Sequence, residues 1–187
     1  MLGAGALASI FTTPPTAVSA TPQALLDYLM AFDFDHDAPK IYATHAPFPH
    51  SAWADISSRS TNLAAFHAHG GKLVIYQGTA DPVFSLLDTV SWFEDVEHRI
   101  TNAQSFARLF AVPGMSHCNG GPATDQFDAL GALTQWVEHG QPPEQIPASA
   151  GRTSPWPGRT RPLCAYPKVA RYTGTGDIEK AENFQRH

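Results

Sequence analysis

Two stretches in the middle of the chain carry the clearest rhythm of apolar and polar positions. KLVIYQG, residues 72–78, is a short continuous apolar run, the pattern of a strand buried on both faces. Gly78 to Pro82 then reads as a turn. In SLLDTVSWFEDVEHRI, Leu86, Val90, Phe93 and Val96 recur at helical spacing, and Leu87 and Ile100 widen the stripe. SFARLFAVPG repeats the strand pattern. ATDQFDALGALTQWVEHG repeats the helical one, with Phe127, Leu130, Leu133 and Val137 expected to face inward and Gly140 as the stop. A strand-helix-strand-helix order predicts an α/β fold in which parallel strands are flanked by helices.

The flanks are less regular. Residues 1–22 are rich in Ala, Thr and Pro and read as irregular. PQALLDYLMAFDF places Leu25, Leu26, Leu29, Met30 and Phe32 at roughly helical spacing, which predicts a short amphipathic helix. From Asp33 to Trp53 the text is loop-like, and SRSTNLAAFHAHGG predicts a short helix stopped at Gly70-Gly71. Beyond Gly140, prolines from Pro142 to Pro167 predict either an ordered wrap or a loose tail. The expected organisation is a lead-in over 1–70, a core over 71–140 and a Pro-rich wrap over 141–187. Two strands are too few for an independent parallel sheet. Either further strands lie in the first 70 residues or the chain is the end of a larger fold, and the second is expected.

Composition narrows the class. The 187 residues are 43% hydrophobic and 16% charged, which describes a globular chain with a core of its own. A net charge of −5 argues against a partner bound through a nucleic-acid backbone. No apolar run approaches the roughly 18 residues of a membrane span. MLGAGALASIFTTPP has an apolar stretch but no basic residue before it, so it is expected to be an internal segment rather than a signal peptide.

Two side chains stand where chemistry gathers in open parallel sheets, outside the carboxyl ends of the strands. Asp81 follows the first strand and His117 the second. A carboxylate accepting Nδ1–H of an imidazole fixes its tautomer and leaves Nε2 to take a proton from a nucleophile. Acid followed by histidine, late in the chain, is the α/β-hydrolase order. No serine here sits on the Gly-x-Ser-x-Gly elbow that this chemistry needs. Ser116 lacks the second glycine, and nothing before Ser85 matches. Cys118 and Cys164 are the two cysteines. They can be free thiols, one disulfide, or halves of bridges to cysteines elsewhere.

Metal readings find less support. Asp33, Asp35 and Asp37 begin like a calcium loop, but Ala38 stands where Gly is needed and Thr44 where Glu is needed. His67 and His69 are two apart, do not share a helix face, and are expected at the surface. No Cys or His cluster accompanies His117 and Cys118 at zinc spacing.

GGKLVIYQGTADPVFS, LFAVPGMSHCNGGP and RPLCAYPKVARYTGTGD resemble the C-terminal part of the tannase and feruloyl esterase family, as do FDFDHD and LAAFHAHGGKL. Relatives that cleave a monoester released from polyester plastic are similar too. The resemblance implies the C-terminal part of an α/β-hydrolase fold, without the nucleophile elbow or the lid. It implies a serine-esterase triad with Asp81 as acid and His117 as base, acting on small esters of aromatic acids such as hydroxycinnamates or gallates. It places Phe84 in the pocket wall. It implies that Cys118 is bridged to a cysteine beside the catalytic serine, outside these residues, and that Cys164 is another bridged cysteine. It implies no cofactor here, since the family's calcium belongs to the absent lid. The partner it implies is the missing N-terminal part of the fold, and the location is secreted or periplasmic.

Overall fold

A computed structural model describes residues 3–187, so Met1 and Leu2, where the irregular lead-in is expected to begin, lie outside the described residues. The chain divides between Arg59 and Ser60 into two compact units.

In the first unit, α1 (Ala4–Ser9) forms where irregular chain was expected. Its Ala-rich text has the highest helix propensity, and Thr12 closes it by donating its hydroxyl to the carbonyls of Leu7 and Ala8. α2 (Pro22–Ala31) begins as predicted, with the Thr21 hydroxyl accepting from the Ala24 amide and Pro22 in the first turn. Its apolar stripe is not buried, and Leu26 and Met30 are exposed. α3 (Ala52–Ile56) is capped by Ser51. In the Asp33–Asp37 segment the carboxylates turn onto the local backbone. Asp33 Oδ1 accepts from the amides of Asp35 and His36, and Asp37 Oδ2 accepts from the Asp33 amide.

The second unit carries the core. α4 (Ala64–Ala68) is the predicted short helix, ended before Gly70. β1 (Leu73–Gly78) and β2 (Ala107–Val112) pair in parallel from Leu73 opposite Ala107 to Gly78 opposite Val112. α5 (Leu86–Arg99) makes the crossover between them. Side chains of β2 alternate between two cores, as the pleat requires. Ala107 and Leu109 join Phe93, Val96 and Phe106 on one side, and Phe110 and Val112 join Met115, Ile146 and Leu163 on the other. β2 is thus buried on both faces, but β1 is only half-buried and Tyr76 is exposed. Among the described residues neither strand of the pair has a further strand on its other edge, and β2 differs in that its side chains enter a core on each face.

Two helix faces depart from the predicted stripes. Leu87 is 77% exposed, because it lies off the Phe93–Val96 line. α6 (Ala129–His139) starts only at its Asp128 cap, since β3 (Gln126–Phe127) takes the residues before it. The helix packs inward through Trp136 and leaves Leu130 and Val137 exposed. Gly140 ends the helix at φ +68°, as expected of a C-terminal glycine.

The Pro-rich region is ordered. β4 (Gln145–Ser149) and β5 (Thr160–Cys164) join β3 in an antiparallel sheet of order β3-β4-β5. β6 (Ala170–Tyr172) pairs with β7 (Phe184–Arg186). Pro147 stands opposite Pro162, so two residues without an N–H face each other in one pair of the ladder.

Candidate active site

The site is built where β1 and β2 release their chains. The two outgoing loops are sewn together. The Thr79 amide donates to the Val112 carbonyl at 3.0 Å, the Ala80 amide to the Met115 carbonyl at 3.1 Å, and the Gly114 amide to Thr79 Oγ1 at 2.8 Å. The approach is so close at Gly78 that a Cβ there would lie 2.0 Å from the Met115 carbonyl oxygen. Only glycine lets the second loop pass over the end of the first strand.

These loops bring Asp81 and His117 into contact. Asp81 Oδ2 lies 3.0 Å from His117 Nδ1. Asp81 Oδ1 accepts the amides of Val83 at 2.8 Å and Phe84 at 3.1 Å, an Asx turn that fixes the carboxylate plane. The Asp81 side chain is only 4% exposed while that of His117 is 43% exposed. Burial works to raise the Asp81 carboxyl. The His117 ring and the two amides together outweigh burial and hold it below its ordinary value. Asp81 is therefore a carboxylate at neutral pH, and His117 Nδ1 must carry the proton between them.

The histidine loop is held by its own backbone. The Ser116 amide donates to the Gly120 carbonyl at 3.1 Å, and the Asn119 amide to the His117 carbonyl at 2.9 Å. Cys118, between them, takes φ +65°, a left-handed conformation uncommon for a residue with a Cβ. Asp125 Oδ2 accepts the Gly120 amide at 2.8 Å and ties the far end of the loop down. Burial pushes the Asp125 carboxyl up, and the Gly120 amide with further donors pulls it below its ordinary value.

His117 and Asp81 open onto a pocket of about 640 Å³, lined also by Tyr76, Phe84, Met115 and Cys118. The Phe84 ring lies 5.5 Å from the His117 ring, centre to centre, and is more than half exposed. Its position is set by Gln77, whose Nε2 donates to the Phe84 carbonyl at 2.8 Å while its Oε1 accepts the Thr89 hydroxyl. Gln77, Thr89, Thr79 and Asp125 were missed by sequence reasoning. The one available signal was a polar residue, Gln77, closing an otherwise apolar strand.

Of the remaining sequence candidates, Cys118 faces the pocket as an exposed free thiol, and Cys164 is a buried free thiol. They are not bonded to one another. His67, expected at the surface, is half-buried and stacks on Phe106 with ring centres 4.5 Å apart, while His69 is exposed. Among the described residues no three His, Cys, Asp or Glu side chains gather as a metal site, and no helix is long and apolar enough to cross a membrane.

Comparison with known proteins identifies the family. Residues 17–187 match the family model described as tannase and feruloyl esterase. The chain is 47% identical over 176 residues to the mono(2-hydroxyethyl) terephthalate hydrolase of Piscinibacter sakaiensis, covering 93% of this chain and 29% of that protein. It is 37% identical over 135 residues to a probable feruloyl esterase of Arthroderma benhamiae, covering 66% of this chain and 24% of the relative. Among solved structures, feruloyl esterase B from Aspergillus oryzae superposes with a TM-score of 0.62 at 25% identity, over 88% of this chain and 37% of that one. Tannin acyl hydrolase from Aspergillus niger superposes with a TM-score of 0.56 at 21% identity, over 90% of this chain and 29% of that one. The mixed helix-and-strand fold with its parallel pair is thus of the α/β-hydrolase type, and the chain spans about a third or less of the curated relatives it matches.

Proposed function

The chain belongs to the tannase and feruloyl esterase family, and on that footing we propose that it carries the acid and the base of a serine-dependent carboxylic-ester hydrolase. The observation that carries the reading is the 3.0 Å contact between a buried carboxylate and an imidazole that opens onto a pocket. Asp81 orients His117 and stabilises the imidazolium. His117 Nε2 takes the proton of a serine hydroxyl as it attacks the ester carbonyl, returns it to the leaving alcohol, and then activates water to release the acid. The serine comes from outside these 187 residues, in keeping with the fraction of the relatives that the chain spans. The substrate is a small ester of an aromatic acid, with Phe84 as the ring against which the acyl group lies. The Cys118 thiol, exposed on the same pocket, bridges to a cysteine beside that serine, which calls for an oxidising, secreted or periplasmic setting.

The test is hydrolysis of a chromogenic aryl ester. A complete protein carrying this segment turns it over, and His117→Ala lowers kcat by about 10⁶ with the fold retained. The 187-residue chain alone is nearly inactive. Hydrolysis by the isolated chain that disappears in His117→Ala would overturn the assignment of the nucleophile to another segment.

One observation favours a second reading. The unpaired edge of β1 is a surface on which a further strand can add. In that reading the chain is an accessory piece that binds a partner half without catalysing a reaction itself. A complete protein that keeps full esterase activity in His117→Ala would support it.

A further inference from the structure

A second cavity, of about 570 Å³, shares no lining residue with the His117 pocket. It lies between β5, the first turns of α5 and the chain around Val169 and Phe184. Leu86, Val90, Leu163 and Phe184 give it apolar walls, and Arg161 and Lys168 line it as cations. Arg161 is half-buried, with its guanidinium 4.2 Å above the centre of the Phe184 ring. Among the described residues its one hydrogen bond is from Nη1 to the Thr160 carbonyl at 2.7 Å. The neighbouring Arg159 takes both oxygens of Glu179, at 2.5 and 2.7 Å, so that carboxylate is already committed. Glu179 and Asp177 act on Arg161 through space only, and no carboxylate among the described residues is within ion-pair reach of Arg161 or Lys168. Burial and the charge of Arg159 both act against the Arg161 cation. A half-buried guanidinium with free donors, stacked on a ring at the wall of an apolar cavity, lacks an anion.

We propose that this cavity binds a small aromatic monocarboxylate, its carboxylate forked by Arg161 and reached by Lys168, its ring lying against Phe184 and Leu163. The volume suits a ligand of one ring and a short arm. The fork geometry of a stacked arginine suits a carboxylate better than a point charge would. The site does not rest on the ester-hydrolase reading, because none of its residues takes part in that chemistry.

The experiment is an amide-shift titration of the 187-residue chain with 4-hydroxycinnamate, and separately with its neutral methyl ester. The expected shifts centre on Leu163, Val169 and Phe184. Arg161→Gln and Lys168→Gln, each checked for a native-like spectrum, raise Kd for the acid, Arg161→Gln by at least about tenfold. The ester binds at least about tenfold more weakly than the acid. Shifts confined to residues around Phe84 and His117, equal binding of acid and ester, or unchanged affinity in both charge variants would each overturn the proposal. Loss of fold in Arg161→Gln passes the decision to Lys168→Gln and the ester comparison.

Discussion

Asp81 divides its two oxygens between two tasks. One is held by the amides of Val83 and Phe84, and the other faces His117. Replacing it with Asn keeps the size but removes the charge that selects the histidine tautomer. Asp81→Asn in a complete protein is predicted to lower kcat on an aryl ester by about 10⁴, with the circular dichroism spectrum unchanged. Asp125 acts one step further back, by anchoring the Gly120 end of the histidine loop. Asp125→Ala is expected to cost about 1.5–3 kcal/mol in urea unfolding of the 187-residue chain, the range for a hydrogen bond to a charged group. The Asp81–His117 pair was legible in the sequence because each residue follows a recognisable strand, and adjacent parallel strands share a rim. Gln77, Thr89 and Asp125 were not legible. Their partners lie across loops, and no periodicity marks a side chain that reaches over a turn.

At the scale of elements, packing separates residues that look alike in sequence. Phe93 is fully buried between α5 and β2, whereas Leu87 on the same helix is in solvent. Phe93→Ala is predicted to destabilise the chain by about 3–5 kcal/mol and Leu87→Ala by no more than about 0.5 kcal/mol, measured by urea unfolding. The two strands and the crossover helix were read correctly because their apolar patterns match the period of the element they form. The inward face of α6 was misread because its start depends on Asp128 and on the pairing of Gln126 and Phe127 with β4. Those contacts are non-local, and they take Phe127 out of the helical stripe. The strands beyond Gly140 were unreadable for a different reason. Proline argues against a strand, yet here Pro147 and Pro162 meet each other across the ladder.

The molecule as a whole depends on carboxylates that are more acidic than usual. Glu144 accepts from Arg186 on β7 and from Arg108 on β2 at 3.0 Å, and so joins the end of the chain to the central strand pair. The Arg186 contact, opposed by burial and reinforced by Arg108, holds the Glu144 carboxyl below its ordinary value. Asp81 and Asp125 are held below theirs as well. A carboxyl more acidic in the folded chain stabilises it fully above the unfolded value and loses that contribution as pH falls through the folded one. The melting temperature is therefore predicted to be level near neutrality and to drop as pH falls below about 4. Glu144→Gln, which leaves the Arg108 guanidinium without its carboxylate, should lower stability at neutral pH by about 1–2 kcal/mol, a figure moderated by the half-exposed Glu144, and make the acid drop shallower. For the Asp81–His117 pair to act as a base the imidazole must carry its proton on Nδ1, and nitrogen-15 NMR of the His117 ring in the 187-residue chain at mildly alkaline pH reads that state directly. A neutral ring protonated at Nδ1 and bare at Nε2, which loses this preference in Asp81→Asn, is the predicted result. A ring protonated at Nε2, or one indifferent to the Asp81 substitution, would contradict it.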